Sequence, residues 1–176
     1  SFPTRRSSDL TFESFKKKIE DELRPVERAD KKELQTDTFK KYTLALQEKK
    51  PNVFALPVQR WMMLQGFVSN GHPTIVGLFM FCAYPQGYFP QLGVTAVAVP
   101  GTEVSGIGEI GERFLDNKRI EGTISQMKDD AVAFVIRNMR VRTVIDEKTG
   151  ERTDKTEYPV IAIREIILNA LVHRDY

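Results

Sequence analysis

The sequence predicts an α/β fold of the mixed α+β type, on three observations. Several segments place apolar residues at helical spacing, with charged residues between them. Residues 93–101 are rich in Val and Ala with one Thr, which favours a strand. Residues 140–159 are predicted to form a hairpin that turns at a Lys-Thr-Gly sequence and returns through charged residues. The predicted arrangement is a helical N-terminal part, a small sheet, a β-hairpin and a C-terminal helix.

The composition bounds the class of protein. The chain has 176 residues, of which 41% are hydrophobic and 28% charged, so it can bury one core and has the mixed charge of a globular protein. The longest apolar run, residues 74–84, is about half of the roughly 18 residues that a membrane span needs. No signal peptide is apparent, and the single Cys82 excludes an internal disulfide. We therefore expect a cytoplasmic protein without membrane contact, in which Cys82 is a small buried hydrophobe.

The first ten residues, SFPTRRSSDL, match one reading frame of a common sequencing adapter, tctttccctacacgacgctcttccgatct, residue for residue. A disordered tail rich in Ser and Arg is the alternative that the composition also permits. We treat residues 1–10 as an artefact and exclude them from the fold prediction. Without Arg5, Arg6 and Asp9, the 26 basic and 24 acidic residues become 24 and 23, and the net charge falls from +2 to +1. Charge alone therefore gives no argument for nucleic-acid binding.

Three helices are predicted in the first half of the chain. Apolar residues recur at helical spacing in residues 11–24 and 37–50, and each stretch ends before a proline. Thr36 is the expected N-cap of the second helix. The third helix is predicted over residues 57–66, with Gly66 closing its end. Its predicted core face consists of Trp61, Met62 and Leu64.

The middle of the chain is predicted to alternate between turns and short elements. Residues 69–74 are expected to form a turn, residues 74–84 a short helix that runs into a strand, and residues 84–91 a loop. Residues 93–101 are then expected to form a buried strand. After them, residues 102–121 are predicted as a loop that contains a short strand near 113–122. In the first half of the chain, residues 26–36 are also predicted as a loop. Thr123 is the expected cap of a helix over residues 124–139.

The final helix, which Pro159 opens, carries the richest set of polar residues. Glu165, Asn169 and His173 are four residues apart, so they share one face of a helix. A carboxylate beside an amide suits a metal–nucleotide site, in which the carboxylate activates water and the amide oxygen binds Mg²⁺. An ordinary amphipathic helix with a solvated polar stripe has the same spacing, and spacing alone leaves both interpretations open. Burial on the opposite side is expected for Ile163, Ile166, Ile167, Ala170 and Leu171.

Residues 158–176, YPVIAIREIILNALVHRDY, resemble the N-box helix of the GHKL ATPases, the group that includes gyrase, MutL and the histidine kinases. The resemblance is closer to bacterial RecG-like regulators, which join a Schlafen-AlbA-type domain of proposed DNA-binding function to a GHKL domain. Residues 73–103 and 113–139 look like the segments that precede the ATPase domain in that family. The resemblance therefore covers about residues 30–176.

The resemblance implies site residues and ligands. By position, Glu165 would be the base that activates water, Asn169 the Mg²⁺ ligand, and His173 a further contact in the ATP site. The individual functions of Arg174 and Asp175 stay open. The full-length protein would bind ATP and Mg²⁺, would contact DNA through its N-terminal domain and can form a homodimer.

The resemblance also implies that the sequence is a fragment. Residues 11–158 would be a connector that follows the Schlafen-AlbA-type domain, and residues 159–176 the truncated start of a GHKL-type ATPase domain. In that family an Asp-bearing, Gly-rich adenine segment and a Gly-rich lid follow the N-box. We therefore expect the isolated fragment to bind ATP poorly or not at all, and to be inactive.

Weaker signals favour structural interpretations. Gly106, Gly108 and Gly111 match the G-x-G-x-x-G pattern, but the segment neither begins at a strand end nor clearly opens a helix, so we expect a loop. His173-Arg174-Asp175 lacks the downstream residues of a protein-kinase catalytic loop. His72 has no partner at metal-ligand spacing and is predicted to be a loop residue. Basic residues within 39–42 and 137–142 can contact phosphate, but are more simply solvated faces.

Three functions remain open from the sequence. The first is an ATP-binding regulator of the GHKL type, with or without ATP hydrolysis. The second is a non-catalytic binding module of a transcriptional regulator, in which the last helix is a relic. The third is a dimerisation or connector module that uses the 123–139 helix and the 140–157 hairpin.

Overall fold

The computed structural model describes residues 20–101, 113–145 and 152–174, and these confirm the mixed α+β class. The described residues up to Tyr88 form one compact unit, and those from Phe89 to Arg174 form a second. Residues 20–22 of the first unit are helical, and its regular elements follow in chain order. They are α1 (Asp37–Lys49), α2 (Val58–Leu64), β1 (Val68–Ser69), β2 (His72–Pro73) and α3 (Ile75–Phe81), with 3-10 turns at Lys31–Leu34, Pro51–Ala55 and Pro85–Gly87.

Local signals place the ends of α1 where the sequence predicts them. The Thr36 hydroxyl accepts a hydrogen bond from the Phe39 N–H at 3.4 Å, so Thr36 is the N-cap. The same hydroxyl donates to the carbonyl oxygen of Phe81 at 2.7 Å. Helix α1 ends at Lys49, before Pro51. The cap therefore also ties the start of α1 to the end of α3.

Five aromatic rings form the centre of the first unit. Phe39 stacks on Trp61, with 5.8 Å between ring centroids, and meets the edge of Phe81 at 5.2 Å. Phe67 is perpendicular to Phe81 at 4.8 Å, and Tyr42 is tilted against Phe81 at 5.3 Å. Such pairs contribute about 0.5–1.5 kcal/mol each beyond the area that they bury. They join α1, α2 and α3 into one core.

A tight hairpin connects α2 to α3. Strands β1 and β2 pair antiparallel around Asn70 and Gly71, whose φ angles are 51° and 82°. Two consecutive positive φ angles define the type I′ turn that Asn-Gly favours. The predicted turn is confirmed, and it brings Thr74 to the end of β2, where its hydroxyl donates to the carbonyl of Gly66 at 2.6 Å and caps α3 by accepting from the Gly77 N–H at 3.0 Å.

Several predictions about the first unit need correction. Leu64 is 59% exposed, so it is not part of the core face of α2, whereas Trp61 and Met62 are buried as predicted. The helix over 74–84 is confirmed, but it does not run directly into a strand, because the chain turns at Cys82 into a 3-10 turn that begins at Pro85. The predicted 26–36 loop contains a 3-10 turn whose Asp30 and Glu33 form a capping box.

Within the described residues, the second unit contains two two-stranded sheets and two α-helices. It contains a 3-10 turn at Pro90–Leu92, β3 (Val94–Ala98), β4 (Asp116–Ile120), α4 (Ile124–Asn138), β5 (Val141–Ile145), β6 (Arg152–Thr156) and α5 (Val160–Val172). Strands β3 and β4 pair antiparallel, as do β5 and β6, which confirms the predicted hairpin strands. Helix α4 packs on β3 and β4 and also on α5. Strand β3 alternates between half-buried and exposed residues, so the prediction that it is buried is wrong.

Polar contacts fix both ends of α4. Thr123 is the N-cap and forms a capping box with Gln126, as the sequence predicts for Thr123. Near the other end, the Asp116 carboxylate of β4 accepts hydrogen bonds from Asn138 Nδ2 at 2.8 Å and Arg137 Nε at 3.0 Å. These two contacts lower the pKa of Asp116 below its ordinary value. The helix is therefore registered against the strand that precedes it.

None of the helices within the described ranges is long and apolar enough to cross a membrane. The longest of them, α4, has 15 residues.

Gly77 provides a test of the packing in the first unit. A Cβ atom at this position would lie 2.2 Å from the carbonyl oxygen of Phe67, which already accepts the Thr74 N–H. We expect Gly77→Ala to lower the free energy of unfolding by about 1–3 kcal/mol, the usual cost of overpacking. Urea denaturation measures this change. The control is Gly87→Ala, whose Cβ would meet only the Tyr84 ring, at 3.1 Å; equal losses in both variants would contradict the assignment.

Candidate functional site

Helix α5 packs against the rest of the second unit with one of its sides. Pro159 is its N-cap, as predicted, and the helix packs against α4. Ile163 and Leu171 are the buried residues of α5, and Ile167 is half-buried. These three positions are separated by four residues each, so they lie on one side of the helix. That side therefore forms the packing interface with α4.

The three predicted site residues lie on the exposed part of α5. Glu165 and Asn169 are within the helix, one turn apart, and both are exposed. His173 is the C-cap, and its backbone N–H donates to the carbonyl oxygen of Asn169 at 2.9 Å. On a continuous helix, residues four apart have Cβ atoms about 5–6 Å from each other. One ligand can therefore contact Glu165 and Asn169 together.

Apolar side chains flank this polar stripe on both sides. Ile161 is 77% exposed and Ile166 69% exposed, and Leu168 and Val172 are also exposed. The predicted burial of Ile166 and Ala170 is therefore wrong, whereas that of Ile163 and Leu171 is confirmed. The sequence has apolar residues around most of α5, so its pattern did not distinguish the packed side from the open one. The exposed face of α5 combines a polar centre with apolar margins.

Arg174 is the site residue whose contacts the sequence did not predict. Its Nη1 donates to the carbonyl oxygens of Leu92 at 3.1 Å and Gly93 at 3.0 Å, and its Nη2 donates to that of Gln91 at 2.8 Å. Gln91 and Leu92 lie in the 3-10 turn at Pro90–Leu92, and Gly93 lies between this turn and the start of β3. A single guanidinium thus connects the end of α5 to a stretch of backbone that lies more than eighty residues earlier in the chain. In the sequence, Arg174 is part of the tail that resembles the GHKL family, and its individual function stayed open.

The side-chain oxygens of Glu165 and Asn169 are of the kind that magnesium prefers, but they are too few to hold the ion by themselves. Carboxylate and amide oxygens are hard ligands, which Mg²⁺ prefers, and this ion usually keeps several waters and substrate phosphate oxygens. In the part of the chain that the structure describes, no three His, Cys, Asp or Glu side chains are grouped to hold a metal ion. The stripe thus offers one carboxylate and one amide oxygen, from Glu165 and Asn169.

The weaker sequence signals resolve differently. The Gly106–Gly111 segment and Asp175 lie outside the described residues. In the basic segments, Lys40 pairs with Asp37 at 3.0 Å. Arg137 pairs with Asp116, as described above. His72 lies in β2, with its Nδ1 3.3 Å from the carbonyl oxygen of Ala29, so it is a strand residue rather than the predicted loop residue.

A second cluster of titratable groups lies in the first unit. The Glu33 carboxylate accepts hydrogen bonds from the Tyr88 hydroxyl at 2.5 Å and from the Asp30 N–H at 3.1 Å, and it lies 3.7 Å from Cys82 Sγ. The hydrogen bond to Glu33 raises the pKa of Tyr88 to about 12. Burial raises the pKa of the Cys82 thiol, and the charge of Glu33 adds to this. An open cavity of about 540 Å³ borders the three side chains.

These surroundings make Cys82 a poor nucleophile, because the thiolate is the reactive form and both burial and Glu33 disfavour it. Cys82 is 4% exposed, which agrees with the prediction of a small buried residue. The Glu33 carboxylate links the 3-10 turn at Lys31–Leu34 to Cys82 and Tyr88.

No protein-family model, no curated protein and no solved structure matches this chain. Any assignment of function therefore depends on the residues themselves and on the resemblance of their motifs.

The Cys82 environment can be tested by alkylation, since the chain has a single Cys. We expect iodoacetamide at pH 8 to modify Cys82 more slowly than the Cys of an unstructured peptide, because the folded state holds the proton at a pH where a free thiol partly ionises. Glu33→Gln removes a negative charge and lowers the pKa of the thiol, so this variant should react faster. Mass spectrometry follows both rates.

The control for this experiment is Glu48→Gln, which removes the same charge from the exposed face of α1. Equal reaction rates for Glu33→Gln and Glu48→Gln would show that Glu33 does not act on the thiol. A wild-type rate equal to that of the peptide would show that Cys82 is accessible and ordinary.

Proposed function

We propose that α5 is the nucleotide-facing N-box helix of a GHKL-type ATP-binding domain, in a cytoplasmic bacterial transcriptional regulator of the RecG-like kind. The observation that carries the proposal is the division of α5 into two sides. Ile163 and Leu171 are buried toward the rest of the second unit, whereas Glu165 and Asn169 are exposed together, one turn apart. DNA binding belongs to another domain of such a regulator and not to α5.

Each polar residue has a distinct task in this proposal. The Asn169 side-chain oxygen would hold the Mg²⁺ that accompanies ATP, an ion that would supply positive charge beside the phosphates. The Glu165 carboxylate accepts a hydrogen bond from the attacking water, orients it and takes its proton as the γ-phosphate is transferred. His173 closes the helix through its bond to Asn169 and lies at the edge of the same face.

The proposal also predicts what this chain does by itself. In the GHKL pattern, the adenine-binding segment and the phosphate lid follow the N-box and supply most of the nucleotide contacts. Glu165 and Asn169 alone give a ligand two polar groups on an open surface. We therefore expect the 176-residue chain to bind ATP weakly or not at all, and the test below uses the product of the complete gene, whatever its length.

The sharpest test separates binding from turnover. Glu165→Gln keeps the size and polarity of the side chain but removes its basicity, so ATP hydrolysis should fall about 10²–10⁴-fold, the usual contribution of a general base. MgATP affinity, measured by titration calorimetry, should stay near the wild-type value. Asn169→Ala should instead weaken MgATP binding.

Glu157→Gln is the matched control, because Glu157 is exposed in the same unit and precedes α5. It should leave both binding and hydrolysis unchanged. Hydrolysis that survives in Glu165→Gln at the control rate would refute the assignment of the base. Absence of MgATP binding by the unaltered protein would refute the nucleotide site.

A second candidate function, a non-catalytic binding or dimerisation module, is favoured by the apolar margins of α5. Ile161, Ile166, Leu168 and Val172 expose apolar surface on a single helix. Exposed apolar surface of this kind marks interaction sites in soluble proteins when it is contiguous. A homodimer that covers one margin is the simplest form of this candidate.

Sedimentation of the 176-residue chain tests dimerisation directly. If a margin of α5 forms the interface, wild-type protein should show concentration-dependent association, and Ile166→Glu should shift it toward monomer, because it places a charge in an apolar contact. Leu44→Glu is the control, since Leu44 is a comparably exposed apolar residue on α1. A wild-type monomer at the highest soluble concentration would exclude the homodimer.

A further inference from the structure

We propose that Arg174 is a positioning residue, which fixes the C-terminal end of α5 and thereby the direction in which Asn169 presents its side chain. The magnesium part of this inference rests on the proposed function, whereas the mechanical part rests on the geometry alone. The proposal assigns a function to a residue of the His-Arg-Asp-Tyr tail for which the sequence offered none.

The contact is a fan of three hydrogen bonds. Arg174 donates to three consecutive carbonyl oxygens, those of residues 91, 92 and 93, at 2.8 to 3.1 Å. A planar guanidinium presents its donors in a fixed fork, so three bonds to a curved stretch of backbone define its orientation. A lysine ammonium, which is a point charge on a flexible stem, cannot reproduce that fork.

A second arginine holds the other side of the same backbone segment. Arg119 of β4 donates from Nη2 to the carbonyl oxygen of Pro90, and its Nη1 lies 3.4 Å from Thr95 Oγ1. Four consecutive carbonyls, from Pro90 to Gly93, therefore accept hydrogen bonds from two guanidinium groups. Space is tight here, because a Cβ at Gly93 would lie 2.6 Å from Arg119 Nη2. The acceptor of the Arg174 fan is thus itself anchored to the β3–β4 sheet.

The path from this anchor to the candidate site is short. Arg174 follows His173 directly, and the His173 N–H closes the last turn on the carbonyl oxygen of Asn169. The last turn of a helix frays readily, because its final carbonyls lack partners within the helix. Holding Arg174 in place keeps that turn closed and keeps Asn169 in a helical geometry next to Glu165. Arg174 does not touch the ligand in this proposal, since its Nη1 and Nη2 atoms donate to the backbone carbonyls of residues 91–93.

The test uses the complete gene product with three variants, Arg174→Ala, Arg174→Lys and the control Arg164→Ala. Arg164 is exposed on the same helix, so its removal changes the charge of α5 equally. The first readout is hydrogen exchange at the His173 amide, without nucleotide. The second is the Mg²⁺ concentration that gives half-maximal ATP binding, which calorimetry measures at a fixed ATP concentration.

We expect Arg174→Ala to speed exchange at the His173 amide about tenfold or more, the size expected when charge-assisted hydrogen bonds are lost. The half-saturating Mg²⁺ concentration should also rise about tenfold, and excess Mg²⁺ should restore binding. Arg174→Lys should give intermediate values in both readouts and carries the test if Arg174→Ala does not fold. Arg164→Ala should match the wild-type protein.

Each contrary outcome has a separate meaning. An unchanged exchange rate at the His173 amide in Arg174→Ala or Arg174→Lys overturns the clamp, by which we mean the closure of the last turn of α5 by Arg174. Faster exchange with an unchanged Mg²⁺ requirement overturns the positioning of Asn169 and leaves Arg174 with a structural role only. If the unaltered protein does not bind MgATP, the proposed function fails and the magnesium part fails with it, while the exchange readout still decides the clamp.

Discussion

The packing of α5 against α4 determines every functional statement about the second unit. Helix α5 is apolar around most of its circumference, so its sequence does not choose which side faces the protein. The choice is made by Ile163 and Leu171, which are buried while Ile161 and Ile166, whose side chains are of the same size, stay exposed. Rotating α5 by a third of a turn would bury Glu165 or Asn169 and abolish the open polar stripe. Burial of two aliphatic side chains, each contributing about 1.5–3 kcal/mol, is therefore what presents the stripe to solvent.

Elements with a local signal were predictable from the sequence. Thr36 and Thr123 are N-caps, because their hydroxyls accept a hydrogen bond from a backbone N–H that the first helical turn leaves without a partner. Pro159 opens α5, because proline itself has no N–H that would need a partner. The Asn70-Gly71 turn follows equally from the backbone that Gly tolerates. Burial was less predictable. Leu64 and Ile166 occupy apolar positions at helical spacing, yet both are exposed, because spacing says nothing about what lies opposite a residue.

The contacts that matter most for the candidate site could not be read from the sequence at all. Arg174 bonds to backbone carbonyls, which every residue possesses, so no side-chain pattern marks its partner. The same holds for Glu33, whose partners Cys82 and Tyr88 are separated from it by about fifty residues. In both cases the fold brings together groups that are each unremarkable alone. The polar stripe itself was predictable, because Glu165 and Asn169 are neighbours by helical geometry alone.

The two candidate functions place different demands on the exposed side of α5. Ile161, Leu168 and Val172 recur at intervals of seven and four residues, so they form one margin next to Glu165, while Ile166 lies on the other margin. A surface that covered both margins and the stripe together would bury the Glu165 carboxylate, which is costly without a cationic or hydrogen-bonding partner. A nucleotide-binding domain avoids this cost by covering the margins with protein and leaving the stripe to water and MgATP. A dimer avoids it only if it covers one margin or brings a cation to Glu165, so charge at position 165 constrains the partner in either case.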